Sequence, residues 1–434
     1  MEILSLGEKI KKRRKELNMT LKDLAGDRIT PGQISLVESG KSNPSMDLLE
    51  YLASELKTSV EYLMESEETQ AEKICTYFEN ITESCIISEN LIQAEQYIEK
   101  ALYFADKYGL EYKKAKNLYL KGVVHMTKGD YLVSQQFFLS ANGIFIKNNN
   151  YEQIIKTFIN LGKITMELKS YHSSCSYFQQ AENVYNENKI ENDFLVGEIY
   201  YCIACANFKL ENMKKAINYS YLAKEKFNQL DNKKEYANTL FLLAEEYSKK
   251  EDMDNAIKYS KNALEVYKKL NDSMNIAKIE NNLGKLFYQF DNIEESFIHL
   301  NKAKELRIKL KDSDVITTLI DICENYIKLK DVKNSKKVLE EIMDRVDEGN
   351  DKTLVYYYLL KFRIDMLESN KKEAENTLIM ALNFANNMDY TAEAARISIL
   401  LGKFYIENNL NEQAAKYLNE GVEDFKKIGL LRDS

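Results

Sequence analysis

With 434 residues the chain is too long for one compact core, and we expect two or more units. It contains only 2 Pro and 15 Gly, which favours helices, and its 44% hydrophobic and 29% charged residues are typical of a soluble globular protein. The net charge of −8 argues against wholesale coating of nucleic acid but allows a local basic patch. The sequence has neither a run of 18 apolar residues nor a signal-peptide start, so we expect a cytoplasmic protein without membrane contact.

Several short helices are predicted in residues 1–65. The first extends from about Leu6 to Leu17. Thr20 and Asp23 have the spacing of a capping box, which predicts a second helix directly after them. Thr30 is placed to cap a third helix, and Pro31 suits the first position of that helix because no N–H donor is needed there.

Two further caps and one basic run complete this segment. We expect Ser45 to cap a fourth helix, and Thr58 with Glu61 to form a capping box for a fifth. Residues 9–15, KIKKRRK, are strongly basic. Such a run either lies on a solvated face or contacts DNA phosphates, and the sequence leaves both interpretations open.

This layout resembles the phage-repressor-like (XRE) helix-turn-helix family, chiefly through the motif QISLVESGKSNPS at 33–45. The resemblance implies that the third helix enters the major groove, with Gln33 at an adenine edge and Leu36 at a thymine methyl. Leu21 and Leu36 stand where the family usually has Gln and a basic residue, so we expect lean and partly shape-driven readout. A helix-turn-helix retained only for protein contact is the alternative. The residues expected to contact DNA are Thr20, Lys22, Thr30, Gly32, Gln33, Ser35, Leu36, Ser39, Lys41 and Ser42.

The remainder of the chain is self-similar at about 40 residues. Small residues recur at Ala94, Ser134, Ser174, Ala216, Ala256, Ser296, Ser335, Ala374 and Ala414. Twelve residues before these lies a second column, which contains Gly122, Gly162, Ala204, Ala244, Gly284, Cys323 and Gly402. The columns predict helix pairs joined by short polar turns, stacked so that neighbouring pairs bury each other's apolar faces.

These columns resemble the tetratricopeptide repeat, and the copies at 159–181 and 281–303 are the best. The resemblance implies an all-α fold in which a five-helix DNA-binding domain, residues 1–65, precedes a right-handed α-solenoid of about nine helix pairs. We call this domain the reader. A generic α-solenoid is the alternative. We therefore divide the chain into a DNA-binding domain (1–65), a linker (66–70) and a solenoid for sensing and oligomerisation (71–434).

First helices build the concave wall of tetratricopeptide superhelices, so residues at fixed offsets from the glycine column are expected to bind a short peptide. Asn can hold an extended backbone, Lys and Arg a carboxylate, and aromatic residues can form side-chain pockets. Alternatively, each single Asn caps or packs within its own repeat. The expected peptide-binding residues are Asn160, Lys163, Tyr201, Asn238, Phe241, Glu245, Asn281, Asn282, Lys285, Tyr288 and Arg363.

An XRE reader followed by about nine such units resembles the RRNPP family of Gram-positive quorum-sensing regulators, which includes the NprR-, PlcR- and RstA-like proteins. The resemblance covers nearly the whole chain. It implies a homodimer or higher oligomer, double-stranded operator DNA and a short signalling peptide as partners, and control of sporulation, toxin, protease or competence genes. Capture of a response regulator protein by the solenoid, with DNA binding secondary, is the second function that it implies.

The sequence shows little sign of other chemistry, so we expect no enzyme, cofactor or metal. Three His are scattered over different units, and Cys202 and Cys205 form a lone CxxC inside a predicted helix, where structural zinc would need four ligands. Neither phosphate-binding glycine motif occurs. The adjacent carboxylates Glu67 and Glu68, Glu245 and Glu246, and Glu294 and Glu295 are expected on solvated faces.

Overall fold

The computed structural model describes residues 2–346 and 351–428, and in these two stretches every regular element is an α-helix, 23 in all. The chain divides between Tyr219 and Ser220 into two compact units. The N-terminal unit holds the first twelve helices and the beginning of the thirteenth, and the C-terminal unit holds the rest.

The first five helices form the predicted reader: α1 (Leu6–Glu16), α2 (Leu21–Ala25), α3 (Pro31–Glu38), α4 (Met46–Glu55) and α5 (Val60–Met64). The capping box of Thr20 with Asp23 is present at the start of α2. Thr30 caps α3 as expected, and Gln33 completes a second reciprocal box there. The predicted third helix therefore begins where the sequence placed it, with Pro31 at its start.

Three local predictions need correction. Ser59, not Thr58, caps α5, because Lys57 adopts a left-handed conformation (φ 50°) and the Thr58 N–H closes the end of α4 on the carbonyl of Ala53. Ser45 precedes α4 but makes no side-chain capping bond. Residues 66–70, predicted as a linker, form the N-cap and first turn of α6, where the Ser66 hydroxyl accepts a hydrogen bond from the N–H of Thr69.

Close contact between α1 and α3 depends on one glycine. A Cβ atom on Gly7 would lie 2.5 Å from the carbonyl oxygens of Val37 and Glu38, so a larger residue would push the two helices apart. Beside this contact, Ile10 and Ile34 are fully buried in the core of the reader.

The solenoid follows as nine helix pairs within the described residues, which confirms the repeat number. They are α6 (Glu67–Ile87) with α7 (Leu91–Lys107), α8 (Glu111–Lys128) with α9 (Tyr131–Lys147), α10 (Tyr151–Glu167) with α11 (Tyr171–Glu187), α12 (Asp193–Lys209) with α13 (Met213–Gln229), α14 (Lys233–Lys249) with α15 (Met253–Lys269), α16 (Ser273–Gln289) with α17 (Ile293–Leu310), α18 (Val315–Lys328) with α19 (Val332–Met343), α20 (Asp351–Leu367) with α21 (Lys371–Asn387), and α22 (Thr391–Glu407) with α23 (Asn411–Lys427).

Many of the short joints between these helices share two local features. A single residue in the left-handed region ends the preceding helix, as at Asn149 (φ 52°) and Asn271 (φ 53°). At several joints the next residue caps the following helix, as where the side chain of Asn150 accepts from the N–H of Gln153. Asn and Asp suit both positions, which explains how the chain turns so often with few glycines.

The glycine column marks where the two helices of a pair touch. A Cβ on Gly162 would lie 2.2 Å from the ring of Phe178, and a Cβ on Gly284 would lie 2.5 Å from the side chain of Leu300. The first column of small residues joins the same contact, because the Ser296 hydroxyl donates to the carbonyl of Gly284 at 2.7 Å. Both small-residue columns therefore serve close pairing of helices, as the sequence predicted.

Candidate functional site

The reader presents its predicted DNA-contacting residues to solvent. All ten are exposed, namely Thr20, Lys22, Thr30, Gly32, Gln33, Ser35, Leu36, Ser39, Lys41 and Ser42. Leu36 keeps 46% of its surface accessible, which is unusual for a leucine on a helix that buries Ile34 and Val37 on its other side. An exposed apolar residue in this position suits contact with a thymine methyl.

The Gln33 side chain is exposed, but its amide oxygen already accepts hydrogen bonds within the protein. Its Oε1 accepts hydrogen bonds from the backbone N–H of Thr30 at 2.9 Å and from the Thr30 hydroxyl at 3.3 Å. Two-bond recognition of adenine uses the oxygen and the amino group of the same amide. Gln33 must therefore leave its cap, or share Oε1, in order to read a base in that way.

The basic run at 9–15 is largely structural. Lys9 is buried and donates to the carbonyls of Tyr62 and Glu65 at 2.8 and 2.6 Å. Arg13 donates from Nε to the carbonyl of Leu56, and Arg14 pairs with Glu38. Only the lysines of the run at 11, 12 and 15 remain exposed for contact with phosphate.

A compact joint connects the reader to the first repeat helix. Gln70 of α6 forms two hydrogen bonds with the backbone of Leu4, accepting from its N–H at 3.1 Å and donating to its carbonyl at 2.9 Å. The same amide donates to the carbonyl of Glu65 at 3.3 Å. Because Lys9 also binds Glu65, both α1 and α5 are tied to the start of the solenoid.

All eleven residues predicted to bind a peptide lie on first helices of their pairs. The structure places many of them in contact with a residue on the next or preceding first helix, some 35 to 41 positions away. We call this set of cross-helix contacts the first-helix ladder. Asn238 instead contacts its own pair, donating to Glu235 and accepting from Tyr267, and Phe241 is buried beneath the ammonium group of Lys278.

In the N-terminal unit the ladder has two such contacts. The side-chain amide of Asn160 donates to the Tyr119 hydroxyl at 2.8 Å, and Lys163 donates to Glu198 at 2.7 Å. Burial raises the pKa of Tyr119 to about 12, so its hydroxyl stays protonated at neutral pH. Tyr201, also predicted, is half-buried on the same helix as Glu198.

Two carboxylates organise the ladder in the C-terminal unit. Asp321 accepts from Asn281 at 2.9 Å and lies 3.3 Å from the ammonium group of Lys285. Burial raises the pKa of Asp321, although Lys285 and Asn281 favour its charged form.

Glu324 is the second of these carboxylates. It accepts from Arg363 at 2.7 Å and from the Tyr288 hydroxyl at 3.3 Å. Lys328 packs over the Tyr288 ring, with its ammonium 4.4 Å from the ring centre. The predicted residues Tyr288 and Arg363 are thus held together by a carboxylate that the sequence analysis did not select.

Two cavities open beside Arg363 on this side of the first helices. One, of about 270 Å³, is lined by Glu324, Tyr356, Leu359 and Leu400 together with Arg363. The other, of about 280 Å³, is lined by Phe362, Met366, Lys403 and Phe404 as well as Arg363. Their mixed lining of apolar walls with a few charged groups suits the side chains of a bound peptide.

The sequence analysis missed the acidic half of the ladder. Glu198, Asp321 and Glu324 each follow a predicted Lys or Tyr by 35 or 36 residues, close to one repeat length. A search for acidic residues 35 or 36 positions after each selected Lys or Tyr would have found them.

Glu246, expected on a solvated face, is instead fully buried in α14. Its Oε1 accepts from the Ser220 hydroxyl at 2.8 Å, while Oε2 has no hydrogen-bond partner among the described residues. Burial raises the pKa of Glu246 to about 8. The helical period explains the error, since Glu245 and its neighbour point in different directions.

Comparison with known proteins supports both halves of the architecture. Residues 10–63 match the helix-turn-helix family model, and residues 235–309 match the tetratricopeptide repeat model. No curated protein matches the chain at a significant level. Among solved structures, the apo form of the quorum sensor NprR from B. thuringiensis is 16% identical with a TM-score of 0.60, and the match covers 82% of this chain and 99% of NprR.

Two other solved structures share the fold. A Rap protein complexed with competence and sporulation factor is 14% identical, with a TM-score of 0.54 and coverage of 83% of this chain and 100% of the Rap chain. The apo form of RapI is 17% identical, with a TM-score of 0.52 and coverage of 64% and 99%. This chain therefore shares the fold of these quorum-sensor and Rap structures and carries a helix-turn-helix match at residues 10–63. The residues that the structure describes include no cluster of metal-ligating side chains, and none of their helices is long and apolar enough to cross a membrane.

Proposed function

We propose that this chain is a sequence-specific, DNA-binding transcription regulator controlled by a short signalling peptide that binds on the first-helix side of its solenoid. The observation that carries the proposal is the combination of an exposed α3 with a ladder of polar contacts and open cavities in the repeats. Its place is the cytoplasm, and its targets are genes of a quorum-sensing response such as sporulation, toxin or protease genes.

On the DNA side, α3 supplies the base contacts and its surroundings supply the phosphate contacts. Leu36 meets a thymine methyl, and Gln33 moves from its cap to an adenine. Lys22 and Lys41, with the neighbouring hydroxyl groups, bind the backbone, so affinity falls as salt rises. One such reader covers only a half-site, and a homodimer or higher oligomer places two readers on a pseudo-palindromic operator.

On the peptide side, the ladder offers groups that can exchange partners. Asn281 and Asn160 can bond a backbone N–H and carbonyl of an extended peptide. Arg363 can transfer from Glu324 to a peptide carboxylate, while the two cavities beside it accept apolar side chains. Because each ladder contact joins two consecutive first helices, a peptide that replaces such contacts alters how these helices are held.

The direct test of the DNA half is a double substitution in the reader. Gln33→Ala with Leu36→Ala removes both base contacts and the Gln33 half of the α3 capping box, and leaves the buried side of α3 unchanged. We expect specific binding to the upstream DNA of its own gene to be lost in a mobility-shift assay, while the circular dichroism spectrum is retained. Leu132→Ala, an exposed leucine on α9, serves as the matched control and keeps full binding.

Capture of a response regulator by the solenoid is the competing function. If the double variant keeps specific DNA binding, α3 does not supply the base contacts. If the variant loses DNA binding but still controls transcription in cells, the regulator does not act through α3. The solenoid would then act through a protein partner, which pull-down with purified response regulators would reveal.

A further inference from the structure

The second helix of the second pair, α9, carries almost no charge. Among its 17 residues only Lys147 is charged. One side of the helix packs into the solenoid through Phe138, Ala141 and Phe145, which are fully buried. The opposite side is also apolar, although it is open to solvent. A helix that is apolar on every side is normally buried on every side, so the open face of α9 points to a partner that covers it.

Three apolar residues follow this open face at an interval of seven residues. Leu132, Leu139 and Ile146 keep 70%, 48% and 53% of their surfaces accessible. Because seven residues make about two helical turns, the three side chains form one straight line, which we call the α9 stripe. The exposed residues beside it, Gln136 and Ser140, are uncharged. Such a stripe is the seam along which two helices pack against each other.

The repeat itself does not require apolar residues at these positions. In no other second helix of the described chain are all three equivalent positions apolar. Charged residues occupy most of them in α7 and all of them in α15, which have Ile92, Glu99 and Asp106, and Asp254, Lys261 and Lys268, respectively. The stripe therefore belongs to α9 alone and serves a contact that the other pairs do not make.

We propose that the α9 stripe is the contact between two copies of this chain, related by a two-fold axis at Leu139. A two-fold contact uses the same surface on both subunits, so that surface must be complementary to itself. The α9 stripe meets this condition, since it has an apolar residue at its centre and at both ends. Whether the two helices run parallel or antiparallel, the central Leu139 meets the partner's Leu139.

The distribution of charge favours a second copy as the partner. The chain has a net charge of −8, so two copies repel each other over much of their surfaces. The α9 stripe and its neighbours bring no charge to the contact. On the next second helix, α11, the exposed residues Ser173, Ser176 and Gln179 are uncharged too. Two identical chains can therefore meet here without like charges facing each other.

The neighbouring helices also supply area. One helix face covers less than the roughly 800 Å² that each side of a stable complex buries. The uncharged face of α11 lies on one side of α9, and on the other side α7 exposes Ile92 with 72% of its surface accessible. The stripe thus forms the apolar centre of a larger surface with a polar rim, which is the usual anatomy of a protein interface.

The position of α9 suits the pairing of two readers. It belongs to the same compact N-terminal unit as the reader. A two-fold contact through α9 therefore fixes two readers relative to each other. Two readers on one pseudo-palindromic operator are part of the proposed DNA function, on which this choice of partner rests.

Sedimentation analysis of the full chain, without DNA or peptide, tests the contact. We expect the parent chain to be a dimer at micromolar concentration. Leu139→Glu places two carboxylates opposite each other at the two-fold axis and should weaken the dimer by about a hundredfold or more. Ile298→Glu is the matched control, because it adds the same charge at an exposed isoleucine of α17, and it should dimerise like the parent chain.

Opposite charges at the same position test the two-fold axis itself. Leu139→Lys should also be monomeric, because two ammonium groups would face each other. An equimolar mixture of Leu139→Glu and Leu139→Lys should form a mixed dimer, which variants that merely misfold would not do. Leu132 lies at the end of the stripe, so its truncation to Ala leaves the central contact in place, and Leu132→Ala stays dimeric in the DNA-binding assay.

Three results would overturn the proposed contact. They are a parent chain that stays monomeric at high micromolar concentration, a Leu139→Glu variant that dimerises as tightly as the parent chain, and a mixture of the two charged variants that does not associate. None of them depends on DNA or peptide. A dimer that shows this pattern but binds no specific DNA would support the α9 contact and contradict the proposed DNA function instead.

Discussion

Arg14 and Glu38 form a two-pronged ion pair that ties α1 to the last turn of α3, with Nε to Oε1 at 2.6 Å and Nη2 to Oε2 at 3.0 Å. Both side chains are largely buried, and Arg14 also donates to the carbonyl of Met19. The pair thus positions the helix proposed to read DNA, although it makes no contact with DNA itself.

Replacing Glu38 with Gln should therefore loosen the reader. The change leaves the Arg14 charge buried without its carboxylate, which costs on the order of 3 kcal/mol. Hydrogen–deuterium exchange should speed up at the amides of α1 and α3. Glu16→Gln breaks only the exposed pair with Arg13, worth about 0.5 kcal/mol, and should leave exchange unchanged. Equal exchange in the two variants would show that the buried pair does not hold α3.

The glycine column makes a second prediction, on stability. Gly162→Ala forces a Cβ into the ring of Phe178 and should lower the free energy of unfolding by roughly 1–3 kcal/mol. Gly143→Ala is the matched control, because a Cβ there meets nothing within 4 Å on helix α9, and it should raise stability by up to about 1 kcal/mol. Urea unfolding measures both, and a neutral Gly162→Ala would contradict the role of the column.

The columns of small residues show which parts of the fold could be predicted from the sequence. The two columns of small residues recur at a regular spacing. The repeat length, the number of helix pairs and the close helix contacts at the small residues could therefore be predicted from them. The helix caps at Thr20 and Thr30 were predictable as well, because each involves only a residue three positions later. Charge pairing was not predictable in this way, because it depends on which of many Lys and Glu residues meet across two helices. Lys9, Arg14 and Glu246 were therefore assigned to solvent or DNA, while the structure buries them.

Buried Glu246 predicts a specific pH dependence. Because burial raises its folded pKa to about 8, the folded chain holds a proton there that the unfolded chain releases near pH 4.5. The contribution of this group to stability is therefore largest at low pH, and it is lost as the pH rises from about 4.5 to about 8, by roughly 5 kcal/mol. Glu246→Gln should remove this decline and raise the Tm at pH 8.

Comparison at two pH values isolates that effect. At pH 5 the parent chain and Glu246→Gln should have similar Tm values, since the carboxyl is protonated in the folded state. Glu265→Gln, at an exposed position on the following helix α15, controls for the loss of one formal charge. Parallel Tm curves for the parent chain and Glu246→Gln between pH 5 and 8 would refute a raised pKa.

The ladder predicts which carboxylate matters for a peptide. Glu324→Gln removes the charged partner of Arg363 and Tyr288, and should change peptide affinity by about tenfold, equivalent to about 1.4 kcal/mol. Glu375→Gln alters a carboxylate that also accepts from a tyrosine, Tyr405, but on a second helix, and should leave affinity unchanged. Fluorescence anisotropy with labelled peptides measures both affinities. An unchanged affinity in Glu324→Gln would show that the peptide binds elsewhere.

The most direct test of peptide-controlled DNA binding is a mobility-shift titration of the full chain on the upstream DNA of its own gene, with and without the peptide fraction of culture medium, at a fixed salt concentration. The account predicts a specific shift whose midpoint moves at least tenfold when peptide is added, and which Gln33→Ala with Leu36→Ala abolishes. A specific shift that no peptide fraction alters would contradict the sensing half, and the absence of any specific shift would contradict the DNA-reading half.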